Sequence, residues 1–171
     1  MPLVFLALLA FQAVACSHDG KFANGVYSNR EARFRIGAAP SGFKLIAVQE
    51  AGLSFYNAPR GATIGVNVTC READDVPLAA LRDHLVFGFT ERKQLSEEVI
   101  SLDGREALVT RLDGKLDGVP VRLTSAVLKK DACVYDFTFA ARPAAHGGDD
   151  AAFLSFVRGF ATLTPPRGRG R

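Results

Sequence analysis

Period-two alternation is the dominant pattern along this chain. In ATIGVNVTC, Ile64, Val66, Val68 and Cys70 share one face of an extended segment, and Thr63, Gly65, Asn67 and Thr69 share the other. A strand with one buried and one solvated side produces that alternation. Shorter strands are expected upstream at residues 32–37, 43–48 and 53–56. The first is ended by the turn AAPSGF, where Pro40 restricts φ and Gly42 frees it. Downstream, SEEVISL, REALVTRL, VPVRLTSAVLKK and CVYDFTFAA read as an antiparallel meander. Its expected hairpin turns are Asp103-Gly104, Asp113-Gly114 and Asp117-Gly118, dipeptides that tolerate positive φ.

Two segments change period. In EADDVPLAALRDHLVFGF, Leu78, Leu81 and Leu85 repeat at helical spacing. Asp74 or Asp75 is placed to cap that helix, Pro77 stands in its first turn, and Gly88 can stop it. In DDAAFLSFVRGFATL, Phe153, Phe156, Val157 and Phe160 form an aromatic stripe suited to docking a helix on a sheet. Two helices and an antiparallel sheet in this order predict a single α+β domain over residues 26–163, built in layers.

The first residues follow neither period. Residues 1–15 carry no charge, and the apolar run from Leu3 to Phe11 has the length of a secretion signal rather than of a membrane span. The small residues Ala13, Val14 and Ala15 predict cleavage before Cys16, and AVAC resembles the lipobox of bacterial lipoproteins. Lipidation of Cys16 is therefore expected, with residues 16–25 as a flexible tether. Cysteine parity agrees. The chain has three cysteines, and setting Cys16 aside leaves Cys70 and Cys133 to pair. Cys70 ends a strand on its apolar face, and Cys133 begins one on the face shared with Tyr135, Phe137 and Phe139. Antiparallel neighbours would bring the two together; the alternative is two buried thiols.

Charge narrows the partners. With Arg167, Arg169 and Arg171 of the stretch 164–171 set aside, the remaining eighteen basic residues balance eighteen acidic ones. A neutral body gives no sign of a nucleic-acid face, and the stretch 164–171 reads as a disordered basic tail.

By this order of elements the chain resembles the PsbP-like family. FRI…PSGF, SFYN, the long alternating strand, a helix, GREALVTRL, CVYDFTF and a final Phe-rich helix carry the resemblance, which spans residues 22–163. It implies an antiparallel sheet sandwiched by helices, the fold of the extrinsic P protein of photosystem II and of many bacterial lipoproteins. It transfers no binding residues, because its motifs mark turns and strand starts.

His18 lies in the expected tether. His84 reads as a surface or packed helix residue. His146, Asp149 and Asp150 have the types needed for a divalent cation, yet a glycine loop followed by helix-capping aspartates explains HGGDD as well. Nucleophile, P-loop and zinc motifs are absent. The expectation is a non-enzymatic lipoprotein of the bacterial envelope, without metal or cofactor, held to the membrane by Cys16 and serving an envelope complex. The alternative is a carrier for a lipid or other small apolar ligand.

Overall fold

The computed structural model describes residues 20–49, 52–70 and 76–163. The predicted signal, Cys16, His18 and the tail 164–171 lie outside the described residues, as do Asp74 and Asp75.

Two antiparallel sheets organise the chain. The larger uses β4 (Lys44–Gln49), β5 (Gly52–Asn57), β6 (Ala62–Thr69), β7 (Phe89–Leu102), β8 (Arg105–Leu116), β9 (Val119–Lys130) and β10 (Cys133–Ala141), in the order β4-β5-β6-β10-β9-β8-β7. The smaller joins β1 (Lys21–Ala23), β2 (Val26–Ser28), β3 (Arg33–Arg35) and β11 (Ala161–Thr162). Helix α1 (Leu78–Leu85) lies on one face of the large sheet, over β8 and β9. The short α2 (Pro143–His146), α3 (Asp150–Arg158) and the small sheet cover the other face, giving the layered α+β domain expected.

Register makes the core. Ile64 pairs with Phe139, Val66 with Phe137 and Val68 with Tyr135, so one face of β6 and β10 is apolar throughout. Phe153 and Phe156 of α3 descend on it, and Phe160 just beyond the helix completes the stripe. The rings meet edge-on or tilted: Phe156 against Phe137 at 6.4 Å, Phe160 against Tyr135 at 4.8 Å, Phe34 against Tyr135 at 5.4 Å. Such pairs add about 0.5–1.5 kcal/mol each beyond area burial. Gly37 lets β3 approach α3, since a Cβ there would stand 2.8 Å from the Phe156 backbone. In its place the Gly37 N–H bonds to the Phe156 carbonyl at 3.0 Å.

Three local expectations are corrected. The tether predicted over 16–25 overlaps the fold, because Lys21–Ala23 pairs with Val26–Ser28 through a turn in which Asn24 and Gly25 both take positive φ. The domain thus begins before residue 26. Asp113-Gly114 is not a turn; both residues sit inside β8, paired with Arg122 and Val121. The long meander strand overrides their turn propensity, while Asp103-Gly104 and Asp117-Gly118 turn as predicted, at positive φ. Nor do side chains cap the last helix: Asp149 is its N-cap residue but makes no capping bond, and ion pairs take both aspartates elsewhere.

Candidate functional site

Polar chemistry concentrates where α2 and α3 meet the sheet. Thr124 on β9 stands opposite Arg111 on β8 and Phe139 on β10, on the face turned toward α3. Pro143 starts α2, a position where a missing N–H costs nothing, and one turn later the chain delivers His146. Its ring stacks on Phe139 at 4.4 Å, and only 2% of the residue is exposed. The Thr124 hydroxyl donates to Asp150 Oδ1 at 2.5 Å. Having one proton, it must accept from His146 Nε2, 3.1 Å away, which fixes the Nε2–H tautomer. Arg111 Nε donates to the other Asp150 oxygen at 2.9 Å, and its Nη1 reaches Glu98 and Ser96. Beside it, Arg122 grips Asp113 through two bonds of 2.7 and 2.8 Å.

These contacts set the charges. Burial lowers the His146 pKa, outweighing the pull of Asp150, so the ring is neutral. Arg122 holds Asp113 below the usual carboxylate range, chiefly through its hydrogen bonds. Burial works against the Arg111 charge, but Asp150 and Glu98 more than offset it and raise its pKa.

A hydroxyl, an imidazole and a carboxylate are the parts of an activated nucleophile, but their order here is wrong for one. The carboxylate bonds the hydroxyl rather than the imidazole, and the imidazole donates to the oxygen it would have to deprotonate. Thr124 is fully buried, so no substrate carbonyl can approach. The cluster instead latches α2 and α3 onto the sheet. The HGGDD residues do not converge either: His146 and Asp150 share the Thr124 hydroxyl, whereas Asp149 turns to Arg60 at 2.7 Å. Sequence reading missed the burial of His146, because its partners Phe139 and Thr124 come from strands seven and 22 residues away.

The opposite face carries a second polar group. Asp136 on β10 points toward α1, and its Oδ1 is buried with no hydrogen-bond partner. Burial pushes its pKa up to about 6, opposed only in part by His84. His84 is thus an exposed α1 residue near a sheet carboxylate. Helix α1 has no fully buried residue and is held at its rim, by Arg82 on Glu97 and by Lys129 Nζ on the Val76 carbonyl at 2.8 Å. A shallow depression of about 440 Å³ lies by its first turn, lined by Leu78, Gly104, Arg105, Glu106 and Lys129.

Apolar side chains are exposed in two places: along the edge strand β4, at Leu45, Ile46 and Val48, and at one tip. Phe87, in the turn after α1, is 91% exposed, and Leu116 and Val119 of the β8–β9 hairpin are 40% and 49% exposed. They belong together: Phe89 pairs with Leu116, Leu116 with Val119, and a Cβ on Gly88 would touch Leu116 at 3.4 Å. The stretch VFGF carried no signal that separates its two rings: both flank Gly88, yet Phe89 packs on Val86, Leu112 and Leu123 while Phe87 is left in water.

At the far end of the sheet, Cys70 and Cys133 form a disulfide with Cα atoms 4.0 Å apart. The end of β6 lies beside the start of β10, as the face assignment required.

No protein-family model and no curated protein matches the chain. Solved structures do. The solution structure of cyanobacterial PsbP from Synechocystis sp. PCC 6803 superposes with a TM-score of 0.57 at 10% identity, covering 91% of this chain and 99% of that one. The fold is PsbP-like. LpqN, a protein involved in cell envelope biogenesis of Mycobacterium tuberculosis, shares this PsbP-like fold with a TM-score of 0.57 at 11% identity, covering 78% of this chain and 86% of its own. PA94 of Pseudomonas aeruginosa, a putative regulator of unknown function, does so with a TM-score of 0.53 at 15% identity, covering 88% and 99%. At these identities the likeness concerns the fold. The resemblance drawn from FRI…PSGF, GREALVTRL and CVYDFTF is to the same fold.

Proposed function

We propose that this PsbP-like domain is an exported, non-enzymatic accessory module of the cell envelope, anchored through lipid on Cys16, whose apolar tip meets an apolar patch on an envelope protein. The carrying observation is the tip of Phe87, Leu116 and Val119, where, alone among the described residues, a large aromatic side chain stands almost wholly in water, on a body whose charges balance. Aromatic residues, Phe among them, are enriched in the buried cores of protein interfaces. The sealed Thr124–His146–Asp150 cluster supports binding over catalysis. Ring packing between α3 and the sheet weighs against the carrier reading, since Phe34, Phe137, Phe153 and Phe156 occupy the space a ligand would need. The envelope role stated for LpqN supports the setting.

The test is intact mass of the protein from its host, with and without Cys16→Ser, alongside native gel migration of Phe87→Ser. A diacylglyceryl-sized increment lost in Cys16→Ser, and a complex lost in Phe87→Ser, are the expected results. An unmodified Cys16 would remove the anchor, and unchanged migration would remove the tip. Copurifying lipid in the unanchored protein would favour the carrier.

A further inference from the structure

The large sheet has two edges, and they are built differently. Strand β7 is guarded. It carries Arg92, Lys93, Glu97 and Glu98, its pairing with β8 is interrupted twice, and Glu97 and Glu98 are held by Arg82 and Arg111. Charges and bulges of this kind keep an edge from pairing with another chain. Strand β4 has one interruption, at Ile46, and Lys44 is its single charge. Leu45 pairs with Phe55 and Val48 with Leu53, so both point to the core face, the extra residue Ile46 bringing Val48 back to the side of Leu45. Burial nevertheless drops across that one strand step. Leu53 and Phe55 are buried, whereas Val48 and Leu45 are 37% and 41% exposed, and Ile46 at the bulge is 60% exposed. The core layer thus ends one strand short, leaving a row of aliphatic side chains in water along the end strand of the sheet.

We propose that β4 pairs with β4 of a second copy of this chain, antiparallel about a two-fold axis, giving a weak dimer with one continuous sheet. The strand is self-complementary in that arrangement. With Leu45 opposite Val48 of the second copy, Ile46 falls opposite its Ala47 and Lys44 opposite its Gln49. Aliphatic then meets aliphatic, and no charge faces a like charge across the ladder. Leu45 and Val48 lie on the core face in both copies, so each copy supplies the side chains that the other's core layer lacks. The described charges beside the seam are Lys44 and, past Gln49, Lys21; both are exposed, and their long stems can turn the ammonium groups into water. Association closes at two copies, because each has one unguarded edge and β7 does not extend the sheet further. The seam is short, six residues or about 20 Å, which puts it at the small end of specific interfaces and its dissociation constant in the range of roughly 10–100 μM. Four strands stand between β4 and β8 in the sheet, so this interface leaves the Phe87 tip free.

Sedimentation equilibrium of the Cys16→Ser protein, whose other two cysteines are bonded to each other, tests the pairing without a stray thiol. Between about 5 μM and about 1 mM it should pass from monomer to dimer and no further. Ile46→Lys puts a charge on the edge without entering the core and should weaken the dimer at least about tenfold, while Phe87→Ser should leave it unchanged. Cross-linking in the same background reads the register and does not depend on that variant. Leu45→Cys mixed with Val48→Cys should oxidise to a heterodimer. Either alone should not, since Leu45 of the two copies would stand about 10 Å apart, beyond disulfide reach. A protein still monomeric at the highest concentration would overturn the proposal and leave the edge to an extended segment of another protein. So would a dimer that Phe87→Ser dissolves and Ile46→Lys does not, or single variants that cross-link as readily as the mixture.

Discussion

Replacing Thr124 by valine removes one oxygen and almost no volume, yet it should be among the costlier single changes in the domain. The hydroxyl donates to Asp150 and accepts from His146, and all three groups lie under α2 and α3. In Thr124→Val the His146 Nε2–H has nowhere to go, because the ring is clamped against Phe139 and 2% exposed. A buried orphan donor costs about 1–3 kcal/mol, and loss of a charge-assisted bond to Asp150 adds a comparable amount. Asp150 keeps Arg111, so the lower end applies to it, and the sum is about 3 kcal/mol. For a domain of this size that corresponds to a fall of about 10 °C in Tm. Urea denaturation at pH 7.5 measures it directly. Thr124→Val combined with His146→Phe removes donor and acceptor together and leaves a ring to stack on Phe139. The double variant should therefore be more stable than Thr124→Val alone, by at least about 1 kcal/mol. A Thr124→Val variant within about 0.5 kcal/mol of wild type, or strict additivity in the double, would refute the latch.

Four other outcomes follow. Asp136 has a folded pKa of about 6 against 3.8 when unfolded, so its ionisation opposes folding as pH rises through 6; Asp136→Asn should gain on the order of 2–3 kcal/mol at pH 8 in urea titrations and nothing at pH 4. His146 is shifted the other way for a base: its neutral form is the folded one, so stability is full above pH 6.5 and falls below it by up to about 1.4 kcal/mol per pH unit, a slope that His146→Phe should flatten. Reduction of Cys70–Cys133, which closes a separation of 63 residues, should lower the unfolding free energy by about 4 kcal/mol, seen as a drop in urea midpoint with reductant; no change would mean the loop entropy is not recovered. Phe87→Ser should leave the urea midpoint unchanged within about 0.5 kcal/mol, since the ring is 91% exposed, and a large loss would mean that Phe87 serves folding rather than contact.

What the sequence determined by itself was whatever a local period or a chemical inventory can carry. Alternation in residues 62–70 and 133–141 assigned strands and faces, and the faces brought Cys70 to Cys133. The Phe153, Phe156, Val157 stripe assigned a docking helix, and the element order assigned the layered fold. Those signals are legible because burial imposes the same rule at every repeat along a strand or helix. Propensity failed where pairing was stronger: Asp113-Gly114 carries turn chemistry but lies inside a strand bonded on both sides, and Lys21–Ala23 looks like linker but finds Val26–Ser28 across a two-residue turn. Only the tertiary structure decided the fate of His146, of Asp136 and of Phe87. Whether a histidine is latched, a carboxylate stranded or a ring left in water depends on residues far away in sequence, through register and layer packing, and no local period records that.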